Sequence, residues 1–199
     1  TITGERLELA RLRVRARTAQ ATFAIAAALY VGALLFMIID AAAGVRLSGV
    51  GMLALAAWLL RYDIAWLTIR REGLPRFVAA CLLTGYAWLA VAGAIALVNT
   101  QIWAGFSYEA YVHAIMVGFV FSMVFGHAPI IFPAILGRPI DYLRLAWLPL
   151  VLLHLSVAAR ILGDILASQD LRQAAGMLTG LSIALYGVVI VAGLVRRHE

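Results

Sequence analysis

Lysine is missing from this chain, and all sixteen of its basic residues are arginine. The bias reads as genome composition rather than chemistry. Cysteine is nearly missing too. Cys81 stands alone, which excludes a disulfide framework and a cysteine-based metal centre; it lies in an apolar stretch and carries no information about redox compartment. Charge is scarce: 13% of residues are charged against 64% hydrophobic, with a mean hydropathy of +0.97, and that balance excludes a soluble domain. There is no glycine-rich phosphate loop, no HExxH zinc motif and no paired-carboxylate site. The net charge of +6 comes from arginines placed to fix membrane topology, so nucleic acid is not an expected partner.

What is present is a succession of six apolar stretches, each near the ~20 residues that a bilayer core demands. They fall at about 19–41, 47–69, 75–98, 109–136, 145–168 and 173–195, joined by short connections. The expected fold is all-α: a polytopic membrane protein in which residues 19–199 form one domain of six transmembrane helices. Residues 1–18 read as an amphipathic basic segment on the cytoplasmic side, suited to an anionic membrane surface or serving only to orient the chain. The apolar run behind it is long enough to span, so a cleaved signal peptide is not expected.

Arginine placement orients the bundle, because positive charge is retained on the cytoplasmic side. Arg6, Arg11, Arg13, Arg15 and Arg17 precede the first span; Arg70, Arg71 and Arg76 follow the second; Arg138 and Arg144 follow the fourth; Arg196 and Arg197 follow the sixth. The opposite side holds only Arg46 and Arg172. Both termini are therefore expected in the cytoplasm, with Trp103 and Tyr108 marking the outer interface and Trp66, Tyr142 and Trp147 the inner one.

Within this frame the fourth span is the richest in chemistry. His113 and His127 lie fourteen positions apart, which on an α-helix puts both imidazoles on one face, together with Met116, Val120 and Met123, about 21 Å apart along the axis. Gly118, Ser122 and Gly126 form a small-residue seam on the opposite side, fit for close helix packing. Pro129 and Pro133 would kink or end the helix just past His127.

Counting from the span ends, His127 lies nine residues before Leu136 and His154 nine after Leu145, so the two are expected level, about 13 Å above the inner interface. Arg61 comes out at the same depth, with Asp63 slightly lower. Level histidines on neighbouring spans suit a bis-imidazole haem or a small metal site. Arg61 is then a candidate partner for a propionate or a quinone oxygen. The plainer alternative is two hydrogen-bonded imidazoles and an Arg61–Asp63 pair. Near the outer face, His113 with Met52 or Met177 could make a His/Met haem, although methionine is more often packing. Arg160 and Asp164, four apart, are expected to pair, with support of a propionate by Arg160 as the alternative.

The run from His113 through Gly118, Phe119, Met123, Phe125, Gly126 and Pro133 to Gly137, continuing through Pro139, Asp141, Arg144, Leu145, Trp147, Leu148 and Pro149, resembles the second helix and following loop of haem-copper oxidase subunit I. It resembles still more the divergent relatives of that subunit among bacterial membrane haem proteins, the nitric-oxide-response type included. The resemblance implies an inward-running helix whose outer histidine, here His113, is an axial ligand of a low-spin haem. It also implies the bacterial cytoplasmic (inner) membrane. The other ligand histidines of that family have no counterpart here, the copper-binding His-Pro-Glu motif is missing, and the chain is half the expected length. A complete oxygen reductase is therefore not expected.

The expectation is a multi-pass, cytochrome b-like membrane protein binding haem b, with copper as an accompanying metal to be considered, for electron transfer or for NO or O2 chemistry. His113, His127 and His154 are the candidate ligands. It would act in the lipid bilayer as a homo-oligomer or as an oxidoreductase subunit of a membrane complex, exchanging electrons with a quinone or a cytochrome c. Two other classes stand beside this one. One is a cofactor-free scaffold subunit of a respiratory or photosynthetic complex. The other is a small transporter with a polar site at Arg61, Asp63 and His127, for which the broken, inverted-repeat helices of transporters are lacking.

Overall fold

The computed structural model describes residues 16–99, 104–138 and 140–196. Arg6, Arg11, Arg13, Arg15, Trp103, Pro139 and Arg197 lie outside the described residues, as does nearly all of the basic segment at 1–18. The described chain is helical, with no strand. Its elements are α1 (Ala16–Phe36), α2 (Ala41–Tyr62), the one-turn α3 (Ala65–Thr68), α4 (Leu74–Val98), α5 (Gly105–Leu136), α6 (Trp147–Ile165) and α7 (Gln169–Val195). All but α3 are long and apolar enough to cross a membrane, which makes six. The outer surface is correspondingly apolar, with Ile25, Leu35, Val98, Ile135 and Val188 all exposed.

The second helix begins and ends earlier than hydropathy places it. Asp40 caps its start by accepting the Ala43 N–H at 3.0 Å, and Asp63 stops it. The Asp63 N–H closes the last turn on the Leu59 carbonyl, while its side chain accepts the Ala65 N–H at 2.7 Å and the Tyr86 hydroxyl at 2.7 Å. The apolar residues Ile64–Ile69 extend the hydropathy signal, yet they form a turn and α3 rather than more of the span.

Helix packing runs through small residues. A Cβ on Gly49 would lie 2.6 Å from the Gly93 carbonyl oxygen, and one on Gly93 would lie 2.9 Å from the Gly49 oxygen, so α2 and α4 cross in backbone contact. The seam expected on α5 is realised against α4. A Cβ on Gly118 would meet Trp88, Ser122 lies against Gly85, and Gly126 faces Cys81 and Val78. Inside a bilayer, close contacts of this kind supply van der Waals attraction between helices that burial from water cannot. On the other flank α6 and α7 are joined by a Thr179–Ser156 hydroxyl bond at 2.9 Å and by Ser182 donating to the Pro149 carbonyl at 2.7 Å. Tyr186 ties α7 to α5 by donating to the Phe125 carbonyl and stacking on the Phe125 ring at 3.8 Å.

The α5 helix departs from regular geometry in its middle. Residues Ala114–Phe121 are π-helical. The buried stripe Ala110, Ala114, Gly118, Ser122, Gly126 repeats every four residues. In a pure α-helix that period drifts by about 40° per step, and four steps would carry the stripe roughly 160° round the axis. Bonding from i to i+5 takes in extra residues for the same rotation and cancels the drift, so the whole stripe stays on α4. Past this segment the helix runs through Pro129 and Pro133 to Leu136 and ends on Gly137 in the left-handed conformation at φ 62°. Neither proline terminates it.

Candidate functional site

The π segment decides where the histidines point. His113 immediately precedes the stripe member Ala114, and His127 immediately follows the stripe member Gly126. With the stripe held on α4, the two imidazoles leave on opposite flanks of it, roughly 160° apart. The shared histidine face expected from a spacing of fourteen is therefore not formed. Its other members separate as well, since Met116 is exposed and Met123 is buried.

Heights also differ from expectation. His154 accepts a hydrogen bond at Nδ1 from the Trp88 indole N–H at 2.9 Å, and Trp88 is the residue packed on Gly118. His127 follows Gly126, which packs on Cys81. Seven residues of α4 separate those levels, about 10 Å at the helical rise. The cause lies at the helix ends. Trp147, the first residue of α6, sits edge-on to Phe77 near the Gly126 level, whereas α5 runs on past both prolines to Leu136. Counts from those two ends do not start in one plane.

Each of the three imidazoles among the described residues is held in one tautomer by its hydrogen bond. His113 Nδ1 lies 2.7 Å from the Glu109 carbonyl and His127 Nδ1 lies 2.7 Å from the Met123 carbonyl. A carbonyl only accepts, so both rings carry their proton on Nδ1 and a lone pair on Nε2, the form in which histidine ligates a metal. His154 is the reverse. Its Nδ1 accepts from Trp88, so a neutral ring carries its proton on Nε2, which is buried without a hydrogen-bond partner. As arranged, that nitrogen offers no lone pair to iron.

The remaining expected groups scatter. Arg61 is exposed at the end of α2, its guanidinium 5.6 Å from the Tyr62 ring centre, so it is not a counter-charge inside the bundle. Met177 is 70% exposed and faces away from the core, while Met52 is enclosed in the cluster that holds Tyr86, Leu89 and Ala92. Among the described residues no group of three or more histidine, cysteine or carboxylate side chains could hold a metal ion. A bis-histidine haem from His127 and His154 does not fit this arrangement, because the rings differ in height and one has the wrong tautomer.

What the chain does bring together is a charge cluster at the end of the bundle opposite the arginine-rich one. Arg160 pairs with Glu109 and, at 3.4 Å through Nε, with Asp164. Arg172 pairs with Glu109 at 2.8 Å, and its Nε lies 2.9 Å from Asp164 Oδ1, an ionic contact rather than an aligned hydrogen bond. Two carboxylates and two guanidiniums thus alternate in a closed, charge-neutral ring drawn from α5, α6 and α7. The expected Arg160–Asp164 pair is one side of it. Gly163 makes room, since a Cβ there would lie 2.9 Å from Arg172 Cγ, and the Phe106 ring packs under the Arg172 guanidinium at 4.9 Å. A cavity of about 220 Å³ opens beside Asp164, with Asn99, Ser107 and Phe106 in its walls.

His113 stands one turn from Glu109 on the same helix, so the ring of charges and the ligand-ready imidazole share one end of the bundle. Glu109 and Arg172 went unread in the sequence as members of a site. The signal available was the Glu109–His113 spacing of four, which lets the carboxylate and the imidazole share a face. Nothing in the sequence points to Trp88 as the partner of His154.

No curated protein and no solved structure matches the chain. The family model that does match spans residues 1–195, nearly all of the sequence. This chain therefore belongs to the family described as Domain of unknown function (DUF8744).

Proposed function

We propose that this protein is a membrane-spanning haem-binding subunit for electron transfer or gas-ligand chemistry, and that its contribution to the haem is one axial imidazole, His113. The reading is carried by the Nδ1–H bond from His113 to the Glu109 carbonyl, which fixes the ring and leaves the Nε2 lone pair for a metal; His127 makes the same bond, and His113 is chosen because the resemblance puts the ligand there. Arg160 and Arg172 stand near it, each already paired with Glu109 and Asp164, so the charge ring fixes this end of α5 without offering a free positive charge. With His154 bonded to Trp88 and His127 on the far flank of α5, this chain would hold the group through His113 alone, and any second ligand would be supplied by another copy or a partner chain. When bound, b-type haem supplies a one-electron carrier and a site for diatomic gases. Within the chain, Glu109 orients the imidazole through its carbonyl while its carboxylate anchors both guanidiniums. The arginine distribution supports cytoplasmic termini.

The visible spectrum of protein purified from haem-replete cells tests this reading. A Soret band is expected, lost in His113→Ala and retained in His127→Ala and His154→Ala. A colourless protein, or a band that survives His113→Ala, overturns it. The second reading is a cofactor-free scaffold subunit. It is favoured by the Trp88–His154 bond, which satisfies one imidazole within the protein, and it predicts no Soret band in any variant.

A further inference from the structure

At the arginine-rich end of the bundle lies a cavity of about 440 Å³, lined by Glu72, Gly73, Arg76, Tyr142, Arg144 and Trp147. The charge ring at the other end plays no part in it. Its two guanidiniums come from separate elements: Arg76 from the first turn of α4, and Arg144 from the 3-10 turn that leads into α6. Both are exposed, and neither is in an ion pair among the described residues. Tyr142 and Trp147 are half-buried beside them. Burial pushes the Tyr142 phenol up, against the opposite pull of Trp147, Arg144 and Arg76, so it remains a neutral hydroxyl able to donate.

Two convergent cations, a phenol donor and an indole at the rim of a helix bundle form a pocket for a compact polar anion at a membrane interface. The aromatic side chains sit where amphipathic rings anchor at the headgroup level. Arginine forks match phosphate oxygens in pairs. Basic pockets between helices on the cytoplasmic side hold anionic headgroups. Glu72 is the one opposing charge in the lining.

We infer that this cavity binds a phosphate group, presented either by the headgroup of an anionic phospholipid or by a free phosphate anion. The inference rests on the membrane-spanning part of the proposed function and not on haem. Membrane insertion is read separately, as resistance of the protein to alkaline extraction.

The test is thermal unfolding of the full chain in zwitterionic detergent, titrated in parallel with phosphatidylglycerol and with inorganic phosphate. Arg76→Gln/Arg144→Gln is compared with Arg70→Gln/Arg71→Gln, which removes the same charge from exposed positions outside the cavity. For wild type and the control pair, a saturable rise in Tm is expected from at least one titrant, and which titrant gives it identifies the source. The Arg76/Arg144 pair should bind about tenfold more weakly or worse, with its ligand-free Tm unchanged. Glu72→Gln should tighten binding. No saturable rise in wild type, or equal losses in the two arginine pairs, overturns the inference.

Discussion

Removing Asp164 should be the most damaging single change to the charge ring. Its side chain is 1% exposed and contacts both guanidiniums, Arg172 at 2.9 Å and Arg160 at 3.4 Å. Asp164→Ala leaves two arginines, 15% and 16% exposed, sharing the single carboxylate of Glu109, with one positive charge uncompensated in a region of low dielectric. Breaking a buried pair on one side costs ~3–5 kcal/mol. Glu109 is 35% exposed, so solvent screens much of what it contributes, and Glu109→Ala should cost only ~1 kcal/mol. Removing opposite charges together tests the logic more sharply. Asp164→Leu/Arg172→Met leaves the neutral Arg160–Glu109 pair and should recover most of the loss, because a buried ion pair roughly balances its own desolvation. Unfolding by SDS in mixed micelles, followed by helical circular dichroism, measures these variants, and the set of wild type, Asp164→Leu, Arg172→Met and their double gives the coupling energy as a double-mutant cycle. If Asp164→Ala is no worse than Glu109→Ala, or the double variant loses the sum of the single losses, the ring is not a coupled unit.

Three further changes probe the packing by the same titration. Gly49→Val puts its side chain 2.6 Å from the Gly93 carbonyl oxygen, so it should force α2 off α4 and cost ~1–3 kcal/mol; a neutral result would mean the crossing is looser than described. Tyr86→Phe removes the hydroxyl donor to buried Asp63 and should cost ~1–3 kcal/mol, whereas Tyr62→Phe nearby should cost little. Trp88→Phe deprives His154 Nδ1 of its donor and should destabilise by about 1–3 kcal/mol without shifting any Soret band, since His154 is not the ligand proposed here. A spectral change in Trp88→Phe would count against His113 as the ligand the chain supplies.

Hydropathy alone places six long apolar runs, and the described residues form six helices long and apolar enough to cross a bilayer. Ends are harder. The second span shifts by about six residues because Asp40 and Asp63 cap it, and a cap acts through one hydrogen bond that a windowed average does not register. The Arg160–Asp164 pair is local and was legible at a spacing of four. Its completion by Glu109 and Arg172 is tertiary, joining three helices whose register depends on where each begins.

The π segment is the step on which the candidate site turned, and it left a trace that can be read. Gly118, Ser122 and Gly126 are already visible as a seam, and carrying the period of four back through Ala114 to Ala110 gives five small residues. Helices that pack over a short contact need a small residue only once or twice. A stripe of five at this period stays on one neighbour only if the helix rotates less per residue than an α-helix does, so sustained period four itself calls for i→i+5 bonding. Once that is granted, any residue before the segment is out of α-helical phase with any residue after it. Ligand pairs read across Ala114–Phe121 by α-helical arithmetic then fall on the wrong faces, as His113 and His127 do, whereas pairs on one side of the segment, such as Glu109 and His113, keep their alignment.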